Sequence, residues 1–339
     1  MKKKFIYIAY TGGTIGMKKT KYGYIPASGH LQKQLVKMEE FHSPEIPSFI
    51  INEYQPLIDS SNMTPLEWQI IANDIGKNYN KYDGFIVLHG TDTMAYTASA
   101  LSFIFENLEK PIIITGSQIP LSEARSDGRQ NLLNALLIAA NHPINEVTLF
   151  FNYKLYRGNR TTKAHADGFN AFLSPNLDPL LEVGIKIKIL HKEKPKKNEK
   201  KLKIHQIFPQ PISILTIYPG ISNQVVKNFL SYPVKALILC TYGIGNAPQH
   251  KNFLEELNIA FQKHIIIVNL TQCISGRVNM NGYATGSSLI NVGVISGYDL
   301  TIEAALTKLH FLLSQNISDT HIRTQMQTNL RGELTSLNH

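Results

Sequence analysis

Apolar positions along the chain fall into two alternating patterns. Short runs of β-branched and aromatic residues at 5–9, 85–88, 112–115 and 147–151 predict strands, and apolar residues at helical spacing over 66–79, 95–108 and 130–141 predict helices between them. Thr64-Pro65 marks a helix start, because Thr caps free N–H groups and Pro fits the first turn. Strand and helix in alternation imply a largely parallel sheet. The pattern resumes with strands at 212–218, 236–240 and 265–270 and helices at 223–230 and 253–263. A last amphipathic helix is predicted over 302–313, with Leu306, Leu309 and Leu313 on one stripe. The expected fold is α/β in two domains: a larger N-terminal sheet domain over 1–190, a linker at 191–211 and a smaller C-terminal domain with a parallel sheet over 212–339.

Three of the predicted strands end in glycines and hydroxyls: Tyr-Thr-Gly-Gly-Thr-Ile-Gly at 10–16, His-Gly-Thr-Asp-Thr-Met-Ala-Tyr at 89–96 and Thr-Gly-Ser-Gln-Ile-Pro at 115–120. Open α/β sheets bind ligands beyond the carboxyl ends of such strands. Glycines there let backbone N–H groups approach a ligand, and Thr and Ser add nucleophiles and donors without charge. Thr14, after two glycines, is the leading nucleophile candidate; the alternative is that it caps the segment that follows. Its hydroxyl needs a proton acceptor, and Tyr22, Tyr24 or a Lys of suppressed charge are the available types. Thr91 and Asp92 add a hydroxyl and a carboxylate at the next strand end, where Asp92 caps a helix, holds a substrate ammonium group or tunes a lysine. Thr161-Thr162-Lys163 offers that lysine, giving a proposed relay of Asp92, Lys163 and Thr91 that activates Thr14 or a water. Asp59-Ser60-Ser61 has the groups to clamp an amino acid's ammonium and carboxylate. The segment 15–30, with three glycines and no sustained apolar period, is either a lid over the site or a mobile surface loop.

Composition changes this picture little. With 339 residues and 43% hydrophobic content the chain can bury a large core. The net charge of +9 suggests nucleic acid, but residues 192–203 alone hold seven Lys and two Glu. That stretch has neither Arg nor aromatic residues, so it reads as a solvated linker and no nucleic-acid partner is expected. Two cysteines in so long a chain favour a reducing, cytoplasmic location, and the short apolar run after three lysines lacks a signal-peptide cleavage site. No run approaches a membrane span, so no membrane partner is expected. The glycine turns lack dinucleotide and P-loop spacing, and twelve histidines fall in no metal-ligand pattern, so neither metal nor cofactor is expected.

Taken together, Thr-Gly-Gly-Thr-Ile-Gly at 11–16, His-Gly-Thr-Asp-Thr-Met at 89–94, Thr-Gly-Ser-Gln at 115–118 and Thr162-Lys163 resemble the bacterial-type L-asparaginases, in their cytoplasmic type I branch. The resemblance runs essentially end to end. It implies cofactor-free hydrolysis of L-asparagine to L-aspartate and ammonia, with Thr14 attacking the side-chain amide and water resolving an acyl-threonine. It further implies a second triad of Thr91, Asp92 and Lys163, Tyr24 on the mobile loop, and substrate contacts from Asp59, Ser60, Ser61, Thr91, Asp92, Gln118 and Asn246. Homodimers or homotetramers are implied, with the Asn246 segment reaching a neighbouring subunit's site. Some type I members bind asparagine as an activator in the C-terminal domain, at positions matching Thr162, Leu239, Cys240, Thr241, Tyr242, Thr271 and Cys273. This chain departs there, because a basic residue is expected where Cys240 stands, and its loss weakens capture of an effector carboxylate. Cys240 and Cys273 both fall at predicted strand ends and are expected to be buried structural thiols, a redox switch being the alternative. Competing functions are a broader glutaminase-asparaginase, the amidase part of a tRNA-dependent amidotransferase, against which a first strand at Phe5 argues, and a noncatalytic asparagine sensor.

Overall fold

The computed structural model describes residues 3–142, 144–191, 200–282 and 284–335, and it divides into two compact units, 1–205 and 206–339. In the N-terminal unit β1 (Phe5–Tyr10) leads through a 3-10 turn into a hairpin, β2 (Met17–Thr20) and β3 (Gly23–Pro26). There follow α1 (His30–Leu35), β4 (Ser48–Glu53), α2 (Pro65–Asn78), β5 (Gly84–Leu88), α3 (Met94–Ile104), β6 (Phe105–Glu106), β7 (Ile112–Thr115), α4 (Gly128–Asn141) and β8 (Val147–Phe151). Six short strands complete the unit: β9 (Lys154–Arg157), β10 (Thr162–Lys163), β11 (Phe172–Leu173), β12 (Leu181–Val183), β13 (Ile187–Ile189) and β14 (Lys203–Ile204).

One eight-stranded sheet runs in the order β13-β12-β9-β8-β7-β5-β1-β4. Its strands β4, β1, β5, β7 and β8 are parallel, and β9, β12 and β13 are antiparallel additions at one edge. Central β1 and β5 are buried along almost their whole length, which is why their sequences are continuous apolar runs without alternation. The edge strand β4, with exposed and half-buried residues in alternation, carries no such run and was not expected. Helix α2 starts at a capping box, Thr64 and Glu67 satisfying each other's backbone N–H groups, with Pro65 in its first turn.

Helix α3 stops at Ile104, four residues before the expected end, because β6 pairs with β14 and Asn107 takes a positive φ of 62°. That pairing also holds Lys203 and Ile204 in a ladder where solvated linker was expected. Residues 192–199 of the Lys-rich stretch lie outside the described residues. The expected loop at 15–30 is instead organised by the β2–β3 hairpin.

The C-terminal unit carries β15 (Ile212–Thr216), α5 (Asn223–Phe229), β16 (Ala236–Thr241), α6 (Lys251–Gln262), β17 (Ile266–Thr271), α7 (Ala284–Asn291), β18 (Ile295–Ser296), α8 (Ile302–Leu313) and α9 (Asp319–Gln327). Its four strands form one parallel sheet in sequential order. Helix α8 spans the expected residues but is buried on almost every side; Leu306 and Leu313 are only half-buried, so the single-stripe expectation fails. Nor is it the last helix, since Ser318 caps α9. No described helix is long and apolar enough to cross a membrane.

Candidate active site

Parallel neighbours β4, β1, β5 and β7 end at the same edge of the sheet, so the turns that follow them are brought side by side. Backbone bonds extend the ladder past the strand ends: Thr11 N donates to Leu88 O at 3.0 Å, Ile58 N to Thr11 O at 2.7 Å and His89 N to Thr115 O at 3.0 Å. Gly12 and Gly13 have φ of 138° and 89°. A Cβ on Gly12 would collide with Ile58 O, and one on Gly13 with the Gly90 backbone. The two glycines therefore allow the β1 turn to lie directly against the segments bearing Asp59 and Thr91.

Thr14 opens the 3-10 turn, half-buried, and its hydroxyl makes no capping bond and has no hydrogen-bond partner among the described residues. The capping alternative is thus absent. Asp92 is no helix cap either, because α3 is preceded by Thr93 without a side-chain cap. Instead Lys163 Nζ donates to Asp92 Oδ1 at 2.8 Å and to Thr91 Oγ1 at 2.9 Å. Thr91 is buried and Lys163 mostly so, whereas Asp92 stands at the rim. Thr91 Oγ1 in turn donates to Gln118 Oε1 at 2.9 Å.

Ser60 is buried, its hydroxyl packed against Gly90 and its carbonyl accepting from Thr93 Oγ1 at 2.7 Å. Exposed Asp59 accepts from Ser61 N at 3.0 Å, which shapes the turn that presents both residues. Tyr24 is 44% exposed on β3 and its hydroxyl makes no hydrogen bond, to Thr14 or otherwise, among the described residues; Tyr22 is more exposed still. Asn246 lies in the C-terminal unit, where it closes a turn with Tyr242 through two backbone bonds of 2.9 Å.

Of the positions matched to an effector site, Thr162 belongs to the N-terminal unit; Leu239, Cys240 and Thr241 end β16, Thr271 ends β17, and Tyr242 and Cys273 follow these strands. Cys240 is buried, and burial pushes its thiol pKa up. Cys273 is exposed, which overturns the expectation of two buried thiols: it stands on the turn beyond β17, its N–H donating to Thr271 Oγ1 at 3.0 Å.

Two contributors were missed in the sequence. Asp127 accepts from the N–H groups of Gln118 and Ile119 at 3.0 and 3.1 Å and so holds the turn after β7; desolvation raises its pKa against the lowering effect of those bonds. Ser-Asp-Gly at 126–128 ahead of a helical pattern is the signal that marks such a position. His89 is wholly buried, its Nδ1 2.6 Å from Gly90 O and its Nε2 2.8 Å from Thr97 Oγ1, and burial lowers its pKa to about 4. Among the described residues no group of His, Cys, Asp and Glu is arranged to hold a metal ion.

A family model described as asparaginase, N-terminal, matches residues 5–195, and one described as glutaminase/asparaginase C-terminal domain matches 211–326. The chain is 66% identical to L-asparaginase 1 of Escherichia coli over 335 residues, 99% of each chain. Its fold is similar to the crystal structure of L-asparaginase I from Vibrio cholerae, with a TM-score of 0.93, 60% identity and coverage of 98% of this chain and 100% of that one. The thermostable L-asparaginase from Thermococcus kodakarensis aligns with a TM-score of 0.89 at 29% identity over the same shares. Both family models falling in their order along the chain, together with identity of this extent, establish that it belongs to the asparaginase family.

Proposed function

We propose that the protein hydrolyses the side-chain amide of L-asparagine to L-aspartate and ammonia through an acyl-threonine. The observation that carries this reading is the position of Lys163 Nζ, bonded at once to Thr91 Oγ1 and Asp92 Oδ1 on a turn packed against Gly13-Thr14. Thr14 Oγ1 attacks the amide carbon, its proton goes to the leaving nitrogen, the C–N bond breaks and ammonia departs. Water then attacks the ester carbon beside the Thr91, Asp92 and Lys163 set; the bond to Thr14 breaks, aspartate leaves and Thr14 regains a proton. Tyr24 is assigned the handling of the Thr14 proton, a role that requires the β2–β3 hairpin to close over the site. Asp59 holds the substrate ammonium, Ser60 and Ser61 its carboxylate, and Asn246 serves a neighbouring copy in a homodimer or homotetramer.

Effector control is weakened in this reading. Cys240 is buried and offers no charge to an incoming carboxylate, so the response to asparagine is hyperbolic. Glutamine differs from asparagine by one methylene, worth about 1–3 kcal/mol in a pocket, so both amides belong in the test.

The test is ammonia release over a wide range of L-asparagine, with L-glutamine alongside, by the intact protein and by Thr14→Ala. The expected result is asparagine turnover, with a loss of about 10³-fold or more in Thr14→Ala. Turnover that survives in Thr14→Ala removes the nucleophile assignment. Asparagine binding without ammonia release by the intact protein establishes a sensor instead.

A further inference from the structure

Gln118 has one carbonyl oxygen and two amide hydrogens to offer. Its Nε2 donates to Gly168 O at 3.1 Å and to Ala166 O at 3.3 Å, which uses both hydrogens. The reverse amide orientation would set Oε1 against two carbonyl oxygens, so the oxygen must face Thr91, whose hydroxyl donates to it at 2.9 Å. Lys163 Nζ approaches the same hydroxyl oxygen from its own side at 2.9 Å. The direction of the Thr91 proton is thereby determined: toward Gln118, with the oxygen's lone pairs left to Lys163 and to the pocket.

Gln118 is itself held at both ends. Its N–H meets both oxygens of Asp127 at 3.0 Å, and the carboxylate also takes Ile119 N and Asn131 Nδ2. Ala166 and Gly168 lie on the connection between β10 and β11, where Ala164 N and His165 N both donate to Ala171 O. Lys163 starts that connection. The bonds form a closed circuit from Lys163 to Thr91, to Gln118, to the connection, and back along the chain to Lys163.

We infer that Gln118 is a positioning residue that orients the Thr91 hydroxyl and not a ligand of the substrate. Its amide has no hydrogen left for a substrate, and a lone pair of its oxygen keeps the Thr91 proton turned away from Lys163. The inference rests on the reading that Thr91 takes part in amide hydrolysis. It differs from the sequence expectation, which placed Gln118 among the substrate contacts.

The test compares the intact protein with Gln118→Met, which keeps the length and removes the amide, by kcat and KM for L-asparagine and by calorimetric binding of L-aspartate. Thr91→Ala and the double variant complete a cycle. The expected result is a fall in kcat of about 10-fold to 10²-fold, with KM and L-aspartate affinity within about two-fold of the intact protein, and no further loss from Gln118→Met in the Thr91→Ala background. Gln118→Glu is read by the same split should the methionine variant not fold. Weakened L-aspartate binding with kcat preserved makes Gln118 a substrate ligand and overturns the inference. So does an equal fall in kcat with and without Thr91. Absence of ammonia release by the intact protein is a separate failure, of the hydrolysis reading itself, and shows before any variant is made.

Discussion

Replacing Gly13 by alanine tests whether the close packing of two turns sets the geometry of the site. An added Cβ would lie 2.5 Å from Gly90 Cα and 2.8 Å from the His89 carbonyl carbon, where ordinary contact begins at 3.4 Å. All of these are backbone atoms, so no side chain can swing aside, and with Gly90 N nearer still the two turns must part by about 1 Å. The φ of 89° with ψ of 172° lies in a region essentially reserved for glycine and adds about 1–3 kcal/mol of strain for a residue with a Cβ. With overpacking at about 1–3 kcal/mol, the total destabilisation is about 2–6 kcal/mol. Gly90 immediately precedes Thr91, so the displacement separates Thr14 from the Lys163, Thr91 and Asp92 set, and a misplacement near 1 Å costs about 10²-fold in rate.

The assay is kcat for ammonia release together with thermal unfolding. Gly220→Ala is the control, because Gly220 has a φ of 82° with nothing within 4 Å of an added Cβ, and so carries the backbone strain without the collision. The expected outcome is loss of kcat in Gly13→Ala alone. A folded Gly13→Ala protein whose kcat stays within about three-fold of the intact protein refutes the argument that these turns must touch.

Two further outcomes concern stability. Lys308 is wholly buried, donating to Glu333 Oε1 and Thr328 O at 2.6 Å and to Met326 O at 3.1 Å; Lys308→Met leaves a buried carboxylate without its cation and is expected to cost about 3–5 kcal/mol by denaturant unfolding, and a cost below about 1 kcal/mol would show the pair to be dispensable. Burial lowers the pKa of His89 and of His310 to about 4, so below 6.5 the unfolded chain takes up protons that the folded chain refuses. Stability is therefore full above pH 6.5 and falls as pH drops toward 4, with His89 accounting for about 3 kcal/mol at the lower end. Thermal midpoints measured across that range should fall with acid, less steeply in His310→Gln, and an unchanged slope in that variant would remove His310 from the account.

The strands that bury both faces were legible as apolar runs, and so were the helices with a helical apolar period; α9 was missed despite its Ser318 cap because its residues are largely polar. The edge strand Ser48–Glu53 was not, because a half-exposed strand shows only weak alternation. Helix α3 was overextended because Phe105 and Glu106 continue its pattern locally, and only their pairing with Lys203 and Ile204 ends it. In the candidate site, Thr91, Asp92 and Lys163 were expected from the sequence to act together, and hydrogen bonds join them. Tyr24 was named, yet its place relative to Thr14 depends on how the hairpin sits, which residue identity does not encode.

By itself the sequence determined the residue types at each strand end, the alternation of strand and helix that makes those ends converge, and the family to which the motifs point. Only the tertiary structure decided which of those groups touch. Lys163 lies 72 positions from Thr91 and 45 from Gln118 in the chain, yet hydrogen bonds join the three in series: parallel strand order sets the turns after β5 and β7 side by side, and the separate β10–β11 ladder carries Lys163. The orientation of a single amide, that of Gln118, likewise followed from two carbonyl oxygens about 50 residues further along the chain. A hydrogen bond depends on position and direction, and a sequence specifies neither until the chain has folded.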